Sequence, residues 1–149
     1  MQQRIQRFNR LLKIREDNRR AEQAILAAER REERDVMDRI TALEGEKTAA
    51  IQAFSGGEKL TTCTDLWFQR QFIAVIDTNI NRGKDSLKDV QQRILGTEAR
   101  LVDRHKDVRI METYVDHLKA ADFKERLDAE QVELDDLATL HYARAHGGA

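Results

Sequence analysis

Proline is absent from the 149 residues, cysteine occurs once and aromatic side chains make up 5%. Without proline, the chain lacks the commonest breaker of helices. With Cys63 alone, an internal disulfide is impossible, which fits a reducing compartment. Few aromatics and 36% charged residues leave too little bulky apolar material for a compact globular interior, though enough for a narrow seam between helices. The longest apolar run, Phe72-Ile73-Ala74-Val75-Ile76, falls far short of the ~20 residues that cross a bilayer. The start, Met1-Gln2-Gln3-Arg4-Ile5-Gln6-Arg7, lacks the apolar core of a signal peptide, so a cytoplasmic protein with no direct membrane insertion is expected.

A heptad repeat is the dominant positive signal. Steps of three and four from Leu66 land on Leu66, Gln69, Ile73, Ile76, Ile80, Gly83, Leu87, Val90, Ile94, Thr97, Leu101, Arg104, Val108, Met111, Val115 and Leu118. Twelve of these sixteen are aliphatic or Met, which predicts a coiled-coil helix. The first half carries a weaker seam. Ile14, Asn18, Ala21, Ile25, Ala28 and Glu32 follow one register, and Val36, Ile40, Leu43, Lys47, Ala50 and Phe54 another. The join steps by four and four, the mark of a stutter.

Between the halves, Gly56-Gly57 predicts a helix end and Thr64 before Asp65 a helix start. The expected fold is all-α: one long two-helix antiparallel coiled-coil hairpin over residues 1–149. Helix 1 spans about 2–54, the turn 55–64 and helix 2 about 65–145. A turn centred on residues 59 and 60 would set residue i opposite 119 minus i. The hairpin would then be roughly 80 Å long at about 1.5 Å per residue. Residues 119–145 would overhang without a partner, bearing Phe123, Leu127, Leu134 and Leu137, interrupted by Glu130.

Chemistry is hard to find. His105, His117, His141 and His146 form no H-x-x-x-H pair and have no cysteine beside them, so neither a metal site nor a cofactor is expected. Ser55-Gly56-Gly57 lacks the spacing of a phosphate loop, and two helices enclose no dry pocket for an acid–base pair. An enzyme is not expected, and no catalytic residue is assigned. Net charge is −1, but residues 1–20 hold seven basic groups against two acidic, and residues 116–139 eight acidic against three basic. The basic stretch has only Phe8 among its arginines, so a solvated helix facing an acidic partner is expected rather than a nucleic-acid site. Trp67, Phe68 and Phe72, with Phe54 before the turn, cannot all face one seam. At least one ring should be exposed as a binding surface.

Three segments together resemble the FliJ/YscO (SctO) family. They are Leu11-Leu12-Lys13-Ile14-Arg15-Glu16 with Ala21, Trp67 with Gln71-Phe72-Ile73 and Ile76, and Glu130-Gln131-Val132-Glu133-Leu134-Asp135-Asp136-Leu137-Ala138. The last is similar to the E-L-D-E-x-A pattern, with Asp136 for the usual Glu. The resemblance implies a non-enzymatic central stalk of a type III secretion ATPase, flagellar or virulence-associated. Its partners would be the hexameric secretion ATPase, whose ring it would help assemble, the cytoplasmic domain of the export gate protein, and export chaperones. On that model Leu12, Ile14, Arg15, Leu134, Asp135 and Leu137 face the ATPase. Phe54, Trp67, Phe68, Phe72 and Ile76 face the gate. The alternative is a structural coiled-coil adaptor or dimerisation module whose long helices pair between chains. A small secreted W-x-G hairpin does not fit, because Trp67 is followed by Phe68-Gln69.

Overall fold

The computed structural model describes residues 1–55 and 62–147. Two helices, α1 (Gln2–Ser55) and α2 (Cys63–His146), account for nearly all of them, and no strand occurs among the described residues. The composition explains this: Ala, Leu, Arg, Lys, Gln and Glu all favour helix, and no proline interrupts them. The predicted Gly56-Gly57 helix end and the tail residues 148 and 149 lie outside the described residues. The start of α2 is two residues earlier than the sequence reading. Thr62, not Thr64, is the cap: its Oγ1 accepts the Asp65 N–H at 3.2 Å, and its carbonyl accepts the Leu66 N–H at 3.3 Å. Asp65 then sits in the first turn, where a carboxylate meets the positive end of the helix dipole.

The contacts divide the chain into two units, residues 1–20 with 103–149 and residues 21–102. In the first unit α1 and α2 pack antiparallel. Ile5, Val108, Val115 and Leu118 are buried between them, with Phe8, Leu12 and Met111 half-buried. Phe8 meets Tyr114 edge-on at 4.7 Å, and Arg4 donates to the Tyr114 hydroxyl at 2.9 Å. Arg15 pairs with Asp107 at 3.8 Å.

The second unit is also an antiparallel helix pair. Leu26, Val90 and Ile94 form a buried cluster with Leu101 packed against it, and Val36, Ile40, Ala50, Ile76 and Ile80 are buried elsewhere in the seam. Each large aliphatic side chain so buried is worth about 1.5–3 kcal/mol, whereas exposed ion pairs such as Lys47–Asp77 (2.6 Å) contribute about 0–1 kcal/mol. The apolar seam therefore holds the unit together. Fifteen of the sixteen heptad positions read from α2 are buried or half-buried across the two units. Leu66 is the exception, because Phe54 already meets Phe72 and α1 ends at Ser55.

The first-helix register differs from the sequence reading. Ile14 and Ile25 are 54% and 45% exposed, and Ala21, Ala28 and Glu32 are exposed too. The register of Val36 to Phe54 instead runs back through Glu33, Glu29, Leu26, Glu22 and Arg19, so the join at residues 28–36 carries no stutter; nearer the start Leu12, Phe8 and Ile5 keep the row, though Arg15 on it is exposed. Continuity wins because it sets Leu26 against Val90 and Ile94 and puts the two carboxylates opposite groups that can answer them. Glu29 takes the Thr97 hydroxyl, and Glu22 takes Arg100 at 3.4 Å. One oxygen of Glu29, Oε2, is buried without a partner among the described residues. Beside this layer, Arg93 grips Glu32 through two hydrogen bonds of 2.8 and 3.1 Å. These bonds hold the Glu32 carboxyl below its ordinary value; desolvation opposes the shift and the Arg93 charge adds to it.

The pairing is offset as well. With residue i opposite 119 minus i, Ile40 would face residue 79. It meets Gly83 instead, one turn further along α2, so closely that a Cβ on Gly83 would lie 2.9 Å from Ile40 Cγ1. In the first unit Leu118 is the last buried residue of α2 and Asp122 the last half-buried one, so the fully bare part begins at Phe123.

Candidate interaction surfaces

Beyond Asp122, every described residue to the end of α2 is exposed. Leu118 is the last buried residue, and Arg126 is held only locally, by Asp122 one turn back at 2.8 Å. Phe123, Leu127, Leu134 and Leu137 form a stripe at helical spacing, with Val132, Leu140 and Tyr142 also exposed. Exposed apolar rows of this kind are common where soluble proteins bind one another, which makes this one a candidate interaction surface.

The six residues expected at the ATPase all belong to the first unit, but they do not form one patch. Ile14, Leu134 and Leu137 are exposed; Leu12 is half-buried in the seam; Arg15 is engaged by Asp107. Asp135 accepts from the Gln131 amide at 3.0 Å, a bond along its own helix that leaves the other carboxylate oxygen for a partner.

The second unit carries the aromatic surface. Trp67, Phe68 and Phe72 are 57%, 60% and 51% exposed. Trp67 and Phe68 meet edge-on at 5.2 Å, while Phe72 leans on the half-buried Phe54 at 6.5 Å. Ile76 differs from the rest. At 4% exposed it is a seam residue, able to support the aromatics but not to touch a partner. Leu66 and Val75 of α2 are exposed as well, Leu66 against its reading as a seam residue and Val75 without having been singled out. The signal that could have found them is the charge pattern: between residues 60 and 76 only Asp65 and Arg70 are charged, in a chain where 36% are.

The described residues thus expose two apolar surfaces, one in each unit. A family model described as the flagellar FliJ protein matches residues 3–147. The chain belongs to the FliJ family. No curated protein and no solved structure matches it. FliJ-family proteins are cytoplasmic stalk components of the flagellar and type III export apparatus that associate with its ATPase, and they are not known as enzymes. The paired helices and the bare extension of α2 are consistent with a FliJ-family chain. No helix among the described residues is long and apolar enough to cross a membrane.

Proposed function

We propose that this FliJ-family chain is the central stalk of a type III export ATPase, flagellar or virulence-associated, and that it promotes assembly of the hexameric ring. In this reading the bare helix from Phe123, with Ile14 and the Leu134–Leu137 face, engages the ring. The Trp67–Phe68–Phe72 patch engages the cytoplasmic domain of the export gate protein, and export chaperones use the remaining exposed surface. The observation that carries the reading is the bare helix. A single helix about 10–12 Å across is slim enough for the channel of a ring, and its apolar stripe has no partner among the described residues.

The test is ATPase activity of the secretion ATPase titrated with the full chain and with a chain ending at Asp122. The full chain should raise activity by driving ring assembly, and the shortened chain should not. Equal stimulation by both would remove the bare helix from the mechanism.

A further inference from the structure

One flank of the second unit is grooved. Two of its grooves lie between the helices and a third on α2 alone, and their linings include residues one position before a seam residue. On α1 these are Ile25, Ala28, Glu32 and Arg39, and on α2 they are Val75, Asn79, Arg82, Asp89, Arg93, Gly96 and Arg100. They therefore lie on a common side of the helix pair. At its middle the floor is apolar, made by Val36, Ile40, Leu43 and Gly83, and Arg39 and Arg82 stand on its two walls. Both arginines are exposed, and among the described residues neither makes an ion pair. Of the other flanking charges, Arg93 is taken by Glu32 and Arg100 by Glu22, while Asp89, nearer Arg93 than the Arg39–Arg82 stretch, makes no ion pair among the described residues. A groove with an apolar floor between two unanswered arginines fits a helix with an apolar stripe and an acidic residue within it.

The chain contains such a helix. Residues 123–146 present Phe123, Leu127, Leu134 and Leu137 on one row, with Glu130 in its centre, Glu133 flanking it and Asp128, Asp135 and Asp136 further round the helix. At roughly 1.5 Å per residue this segment is about 36 Å long, and α2 from Val75 to Arg100 is about 39 Å. We propose that the acidic bare helix of one copy docks into the Arg39–Arg82 groove of a second copy, with Glu130 between the two arginines. The helix pair of each copy stays intact; a third helix is added to it. Docking covers Leu134 and Leu137, so self-association and engagement of the secretion ATPase compete for the same face. The associated form is a store from which the ring draws single chains.

The experiment is sedimentation equilibrium of the full chain alone over increasing concentration, with no ATPase present, so its result stands whatever the ring assay returns. The apparent mass should climb reversibly from 17.3 kDa as concentration rises, through twice that value and beyond it unless the head-to-tail contact closes. Arg39→Glu with Arg82→Glu should weaken association by at least about tenfold, as should Glu130→Arg alone, since each sets like charges face to face. The three substitutions combined restore opposite charges and should bring association back. A chain ending at Asp122 should stay at its own single-chain mass at every concentration. A full chain that remains at 17.3 kDa throughout overturns the proposal, as does failure of the combined variant to recover. Association that survives removal of the bare helix also overturns it, in favour of long helices exchanged between chains.

Discussion

Gly83 and Gly45 are both glycines inside helices, and the same substitution should act on them in opposite directions. Alanine gains about 1 kcal/mol over glycine in a helix interior from backbone entropy alone. At Gly45 nothing lies within 4 Å of a new Cβ, so the gain stands. At Gly83 the Cβ would meet Ile40 Cγ1 at 2.9 Å, on a side chain that is itself buried. Overpacking of that kind costs about 1–3 kcal/mol, more than the helix gain. Thermal melts should therefore show Gly45→Ala above and Gly83→Ala below the parent chain, separated by about 2 kcal/mol. A Gly83→Ala chain as stable as Gly45→Ala would mean that Ile40 moves aside at little cost. The sequence held a hint of this, since Gly83 falls on the heptad row where a large side chain is the norm, but its closeness to Ile40 depends on a partner that only the fold supplies.

At the scale of the helix, α2 was legible and the first half of α1 was not, for a physical reason. In α2 ten of the fourteen positions on the row from Ile73 to Leu118 are aliphatic and one more is Met, so hydrophobic periodicity and packing agree. In α1 between residues 12 and 32 they disagree. The most apolar row, Ile14, Ala21, Ile25 and Ala28, lies one residue away from the row that packs, because the seam accepts Glu22 and Glu29 once Thr97 and Arg100 face them. Periodicity in one helix cannot see what the other offers. The aromatic surface was legible as a conflict, three rings that one seam cannot hold, whereas the place of Ile76 beneath it comes only from the pairing. The polar layer gives a direct test. Glu29→Leu removes a buried carboxylate whose Oε2 has no partner among the described residues. It leaves the Thr97 hydroxyl able to donate to the Arg93 carbonyl at 3.1 Å. Replacing a buried charge with a fitting apolar side chain is commonly neutral or favourable by about 1–4 kcal/mol. We expect a melting temperature several degrees higher, roughly 1–2 kcal/mol at about 2–8 °C per kcal/mol. A lower one would mean that the layer holds the seam by its polarity.

For the molecule as a whole, stability and function draw on different residues, and a single truncation separates them. The buried residues end at Leu118, so the helix beyond Asp122 adds no packing to either unit. That helix rests on propensity and local pairs such as Arg126–Asp122. Isolated helices are marginal in water below ~12–15 residues and only modestly populated somewhat above it. Warmed at a concentration low enough to keep the chain single, the full protein should lose part of its helical ellipticity gradually. The two seams should then melt in a cooperative step. The chain ending at Asp122 should lack the gradual phase and keep the cooperative step unshifted, within the ~0.5 kcal/mol usual for surface changes. A cooperative step that falls when the bare helix is removed would mean that this helix packs on its own chain, leaving no exposed stripe for a ring or for a second copy. If the step holds, the ordering of residues 123–146 is completed on whatever partner they meet. Binding then depends on that partner's concentration, while the fold of the rest does not.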